Sequence, residues 1–229
     1  VSSGSFPNFR AEVVLQLLAI TPIAVSVEEI ARRQHRYDRL VPAGVRVLVE
    51  NLGDGSEAPR SLETHDDIVA SEQCLIARYR AVDGTGWSGF LPDCVLDPVV
   101  DSPPGLFARP VYGILKLTTT FFLGQGLTVG AVARNDTIAR ELDRQLALYG
   151  GGDSSTFVLE LSVDDISDEA RWARATRDLL ATATDDAVIN GCSAVDVQAG
   201  ETRLIDPTAL ALQLLGVRAN LQLPPRAAA

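Results

Sequence analysis

The sequence predicts an α/β protein made of two pseudosymmetric lobes, each built on a mainly parallel sheet. Three observations lead there. Short apolar runs alternate with amphipathic stretches, the pattern of strands separated by crossover helices. The order strand, helix, strand, helix, strand occurs twice along the 229 residues. In each half the third strand runs into a cysteine, Cys94 in the first and Cys192 in the second.

The first half reads as follows. Residues 13–20 are continuously apolar apart from Gln16 and form a buried strand. Ser26 followed by Glu29 is a capping-box signature, so a helix starts there and runs to about Leu40. Residues 45–49 give the next strand, and the polar stretch 51–60 is rich in turn formers. A second helix fits residues 64–79, with Ile68, Leu75, Ile76 and Tyr79 at helical spacing. Phe90 and Leu91 form a short third strand that ends at Pro92-Asp93-Cys94. Four prolines between residues 98 and 110 mark a loop or hinge.

The second half repeats the pattern. A short strand is expected over 111–114, a helix over 117–123 closed by Gly124 or Gly126, and a strand over 127–133. Asn135 is a good N-cap for a helix bearing Ile138, Leu142, Leu146 and Tyr149, which residues 150–152, all glycine, terminate. Residues 157–161 are strand-like, and 168–183 form a helix with Trp172, Leu179 and Ala183 inward. Residues 187–189 make the strand that ends at Asn190-Gly191-Cys192. A last short strand, 204–206, precedes a C-terminal helix opened by Pro207. The lobes are expected to divide as 7–109, completed by the helix at about 207–223, and 110–206.

Composition narrows the function classes. A net charge of −10, with Lys116 the only lysine among twenty basic residues, argues against nucleic acid as a partner. No apolar run is long enough to cross a bilayer, and no basic segment precedes the run at 13–27, so neither a membrane span nor a signal peptide is expected. Residues 1–6 are set aside from the fold argument. Three cysteines at wide spacing fit neither a zinc knuckle nor a disulfide framework, which points to free thiols in a reducing, cytoplasmic setting. The acidic pairs Asp164-Asp165 and Asp185-Asp186 read as solvated turn charges, so no metal is expected.

Candidate site residues follow from the repeat. Open α/β sheets bind ligands at the carboxyl ends of their strands, where Cys94 and Cys192 both fall. Cys74 sits beside Leu75 and Ile76 in a helix and reads as packing. His35 belongs to the arginine-rich stretch 32–39 and reads as a solvated-face residue. His65 starts a helix; it is either a ligand contact or a surface residue. Lys116 follows a strand end and either meets a carboxylate, forms an imine, or is a surface lysine at a helix start.

Several short segments resemble the aspartate/glutamate/hydantoin racemase superfamily, most of all its hydantoin branch, over about residues 14–215. Cys94-Val95-Leu96-Asp97-Pro98 resembles the first cysteine motif, in which Asp-Pro follows three residues after the cysteine. Gly191-Cys192-Ser193-Ala194 resembles the second, Gly-Cys-Ala-Gly. The segments at Ser61-Leu62-Glu63 with Asp67, residues 110–114, the helix ending in Tyr149-Gly150, and Leu204-Ile205-Asp206-Pro207 resemble further stretches in the same order. The resemblance implies two three-layer lobes with the active site in the cleft between them, and two opposed thiols working without cofactor or metal. It departs at the first loop, where Thr21-Pro22-Ile23-Ala24 replaces Asn-Pro-Asn-Thr/Ser. It departs also at Lys116, where the hydantoin branch often carries Glu, and at Ala194, a glycine in the family.

Racemisation beside a carbonyl needs one base and one acid of the same kind on opposite faces. A thiol, with a free pKa of about 8.5, serves either role if backbone N–H groups stabilise its thiolate. Cys94 and Cys192 are therefore the expected catalytic pair. Thr21, Pro22, Ile23, Val95, Leu96, Ser193, Ala194, His65 and Lys116 are the expected substrate contacts. The acidic chain and the apolar first loop favour a neutral ring such as a hydantoin over free aspartate. The rivals are a same-fold decarboxylase or isomerase using one cysteine, and a non-catalytic small-molecule binder. Assembly as a homo-oligomer completes the expectation.

Overall fold

A computed structural model describes residues 15–53, 58–152, 154–197 and 203–222. In chain order the elements are β1 (Leu15–Ile20), α1 (Val27–Leu40), β2 (Val45–Glu50), α2 (His65–Val82), β3 (Gly89–Phe90), α3 (Ile114–Leu123), β4 (Val129–Ala133), α4 (Asp136–Leu148), β5 (Thr156–Val158), α5 (Glu169–Leu180), β6 (Ala187–Asn190), β7 (Leu204–Ile205) and α6 (Pro207–Asn220). A 3-10 turn, Asp164–Ser167, precedes α5. Parts of four expected features lie outside the described residues: strand residues 13 and 14, the lobe start at 7–14, turn residues 54–57 and helix residue 223.

Two parallel sheets form, with the orders β2-β1-β3 and β5-β4-β6-β7. The pseudosymmetry is explicit in this order. Each sheet puts its first strand in the centre, its second on one side and its third on the other. Val111 bridges in parallel to Phe90 beside β3, as β7 pairs with β6. The helices that follow these two positions, α3 and α6, pack on each other, and the Thr118 hydroxyl donates to the Pro207 carbonyl at 3.2 Å.

Side chains alternate between the faces of each sheet, as the pleat requires. Leu17 and Ala19 of β1, with Val129, Ala131 and Ala133 of β4, face one central cluster with Tyr37, Leu142, Leu146 and Leu215. Leu18 and Ile20 face the other way, onto Leu75 and Tyr79 of α2. Val132 and Val188 likewise face Trp172 and Leu180 of α5. Each sheet is thus covered by helices on both faces, the three-layer arrangement expected.

Four expectations change. The strand at 111–114 reduces to the single bridge at Val111, because α3 already starts at Ile114. Gly113 has no capping side chain, and the Asp97 carboxylate supplies the cap instead, accepting from the N–H groups of Leu115 (2.9 Å) and Lys116 (2.7 Å). The expected strand 157–161 ends at Val158, and Glu160 takes a positive φ of 53° as the chain turns away. Helix α5 stops at Leu180 rather than at residue 183, although Ala183 is still buried. Asp185 is buried rather than a solvated turn charge, held against Gly130 and accepting from the Ser155 hydroxyl.

Candidate active site

The first loop leaves β1 at Ile20 and is fixed from within. The buried Thr21 hydroxyl donates to the Ile23 carbonyl (2.8 Å) and accepts from the Leu52 N–H (3.1 Å). Thr21 therefore shapes the loop, whereas Pro22 and Ile23 face a cavity. That cavity lies at the carboxyl edge of both sheets, opens to solvent, and is lined by both Cys94 and Cys192.

The two cysteine turns are built differently around the same edge. After β3, the Asp93 N–H donates to the Ile20 carbonyl (3.0 Å) and the Asp97 N–H to that of Cys94 (3.2 Å). After β6, the Asn190 side-chain amide donates to the carbonyls of Cys192 and Val195, both at 3.2 Å. The Asn190 Oδ1 accepts from the Trp172 indole N–H (3.0 Å), so a cavity wall and the Cys192 turn are locked together. The turns are also tied directly, since the Ser193 hydroxyl donates to the Asp93 carbonyl (3.0 Å).

Electrostatics separates the thiols. Burial pushes Cys94 up to about 12, against a hydrogen bond from the Leu96 N–H, and the nearby Asp93 and Asp97 push the same way. Burial raises Cys192 too, but the Arg33 guanidinium and the Ala194 N–H oppose it. Cys192 is thus the thiol better placed to ionise. Arg33 is itself buried and donates to Asp93 (2.7 Å) and to Glu29 (2.7 Å). The Tyr37 hydroxyl gives Asp93 a second bond at 3.0 Å.

Helix α1 carries several of the ties between lobes. Arg32 donates to the Ala194 carbonyl (2.9 Å), and Arg36 to the Val195 carbonyl (3.1 Å) and to Asp206 (2.8 Å). On the opposite wall, Nη2 of Arg134, just past β4, donates to the Leu62 carbonyl (3.0 Å) and pairs with Glu63 (2.7 Å). Leu62, Ile138, Val163, Ile166 and Trp172 make the remaining walls largely apolar.

No protein-family model matches this sequence, and no curated protein matches it. Solved structures do. Allantoin racemase from Klebsiella pneumoniae superposes with a TM-score of 0.76 at 18% identity, over 94% of this chain and 90% of the other. Allantoin racemase from Pseudomonas fluorescens gives 0.73 at 12% identity, over 94% of both chains. An aspartate racemase homologue from Pyrococcus horikoshii gives 0.59 at 11% identity, over 90% of this chain and 99% of the other. The chain has the fold of these racemases.

Within this racemase fold, Pro22, Ile23, Cys94, Val95, Leu96, Cys192, Ser193 and Ala194 come together around one cavity. Thr21 lies behind the loop that it shapes. His65 is exposed at the start of α2 and does not line the cavity, although Leu62 of the same segment does. Lys116 is also outside it, paired with Asp101 (2.6 Å) and seated 5.1 Å from the centre of the Tyr149 ring. His35 is exposed, and Cys74 is half-buried against the α2 side of the first sheet. Arg33, Asp93 and Arg134 escaped the sequence reading as site residues. Arg33 was visible only as one of four arginines spaced along one helix, and Arg134 only as the residue that follows a buried strand. Among the described residues no His, Cys, Asp and Glu group could hold a metal, and no helix is long and apolar enough to cross a membrane.

Proposed function

We propose that the protein is a cofactor-independent racemase or epimerase acting on a small molecule whose stereocentre lies next to a carbonyl. The observation that carries this reading is the presence of Cys94 and Cys192 in one cavity, one from each half of a pseudosymmetric fold. The thiolate of Cys192 takes the proton from the stereocentre and leaves an enolate. The Cys94 thiol delivers its own proton to the opposite face and becomes the thiolate. The reverse reaction exchanges the roles. The backbone N–H groups of Leu96 and Ala194, each bonded to a thiol, stabilise whichever sulfur is charged.

A hydantoin-like ring is the substrate class we favour. The walls are apolar, and both cavity arginines already have carboxylate partners, Arg33 in Asp93 and Glu29, Arg134 in Glu63. A dianion would enter without a free counter-charge. Residues 7–109 with the helix at about 207–223 would then form one half of the catalytic unit, and 110–206 the other.

The unequal surroundings of the thiols, with Arg33 beside Cys192 and Asp93 and Asp97 beside Cys94, favour one rival, a same-fold isomerase in which Cys192 alone acts. Polarimetry of enantiopure 5-substituted hydantoins and amino acids tests the reading. Rotation decaying to zero supports racemisation. A rotation that stays constant for every substrate, with carbon dioxide release from a malonate or binding alone, contradicts it.

A further inference from the structure

We infer that Arg134 is a specificity-determining residue, whose Nη1 reads a carbonyl oxygen of a neutral cyclic ureide or imide. The inference rests on the reading of the cavity as a substrate site. Arg134 follows the carboxyl end of β4, the pseudosymmetric counterpart of β1, and lines the same cavity as both cysteines. Its side chain is 5% exposed. One edge of the guanidinium is anchored: Nη2 meets the Leu62 carbonyl and Glu63. The other edge is not, because Nη1 is buried with no hydrogen-bond partner among the described residues.

That imbalance is what points to a ligand. A buried donor left without an acceptor keeps the full cost of its lost hydration, and the cost is larger when the donor is charged. Nη1 has no bond to surrender, so a ligand oxygen that presses into the Arg134 wall far enough to reach this buried nitrogen restores the missing interaction. The anchored edge fixes the plane of the guanidinium, which makes the free edge directional. Glu63 already balances the charge at 2.7 Å, so the matching acceptor is a carbonyl rather than a carboxylate. Asn135 and Thr137 hold the anchor in turn: the Asn135 amide donates to Glu63 (2.7 Å), and the Thr137 hydroxyl to the Glu63 carbonyl (2.7 Å).

Calorimetric titration tests this without requiring turnover. The probes are hydantoin, the cyclic urea that lacks its second carbonyl, and aspartate. They are titrated into the wild type, Arg134→Leu and Arg134→Lys. The expected result is hydantoin binding that weakens at least about tenfold in Arg134→Leu, with Arg134→Lys between the two. For whichever probe lacks the carbonyl that is read, the loss should shrink to about twofold. Should Arg134→Leu fail to fold, the lysine variant and the probe series on the wild type still decide. Hydantoin affinity unchanged in the folded variants, equal affinity for all three probes, an Arg134-dependent preference for aspartate, or no binding at all would overturn the inference. Arg134-dependent binding without loss of optical rotation would leave this inference standing and remove the racemase reading. Racemisation with Arg134-independent binding would do the opposite.

Discussion

The Ser193 hydroxyl donates to the Asp93 carbonyl at 3.0 Å, joining the residue after Cys192 to the residue before Cys94. The bond is buried and spans a hundred residues of chain. It ties the two cysteine turns to each other directly, in addition to the contacts that join the lobes behind them. Ser193→Ala should cost about 1 kcal/mol in urea denaturation. Its racemisation rate should fall by more than its substrate affinity does, because the thiols lose their mutual register. A variant equal to wild type in both respects would mean that the lobes alone set the spacing.

Arg33 links the same two turns by charge. It donates to Asp93 and lies near enough to Cys192 to oppose the effect of burial on that thiol. Arg33→Met removes the cation and leaves Asp93 buried, with the Tyr37 hydroxyl still donating to it. Destabilisation of about 3 kcal/mol is expected from breaking a buried pair on one side. The pH midpoint for alkylation of Cys192 should move upward, since the cation is lost and the anion stays. A downward or absent shift would remove Arg33 from the ionisation of Cys192.

Asp97 makes stability depend on pH in an unusual direction. Burial raises its pKa to about 7, although the N–H groups of Leu115 and Lys116 and the Tyr149 hydroxyl all favour the anion. The folded protein therefore holds a proton that the unfolded chain releases at the ordinary aspartate value of about 3.9. Its contribution is fully present below that value and is lost as pH rises toward 7, at about 1.4 kcal/mol per pH unit. Urea denaturation of wild type and Asp97→Asn at several pH values between 4.5 and 7.5 isolates this group by difference. The wild type should lose stability relative to Asp97→Asn as pH rises. A difference that grows in favour of the wild type would show that the three donors outweigh burial.

Gly191 permits the close approach that brings Cys192 to the sheet edge. Its N–H donates to the Val132 carbonyl (2.9 Å), and a β-carbon at this position would run into that same oxygen. Gly191→Ala must push the turn away from β4. A loss of about 1–3 kcal/mol is expected by thermal denaturation, together with a fall in racemisation. Wild-type behaviour in both would show that the turn tolerates displacement.

Much of the architecture was legible because it rests on periodicity. Leu17 and Ala19 against Leu18 and Ile20, and Ile138, Leu142 and Leu146 on one helix face, announce their partners through spacing alone. The repeated strand ends likewise put Cys94 and Cys192 in one place. What stayed hidden depends on contacts across the chain. Nothing near Ile114 shows that its helix cap comes from Asp97, seventeen residues earlier. Asp185 reads as a turn charge because the Ser155 hydroxyl that meets it is thirty residues away. The arginines of α1 look like a solvated face, yet Arg33 and Arg36 are buried by the partners they find in Asp93, Val195 and Asp206.

Proton exchange at the stereocentre, followed by NMR in D2O from each pure enantiomer of a 5-substituted hydantoin, bears most directly on the pair of thiols. Wild type should take up one solvent deuteron with each inversion. Cys94→Ser and Cys192→Ser should each lose inversion by roughly a hundredfold or more, the scale of one general acid or base. Inversion at the wild-type rate in either folded serine variant would contradict a mechanism in which both sulfurs carry the proton.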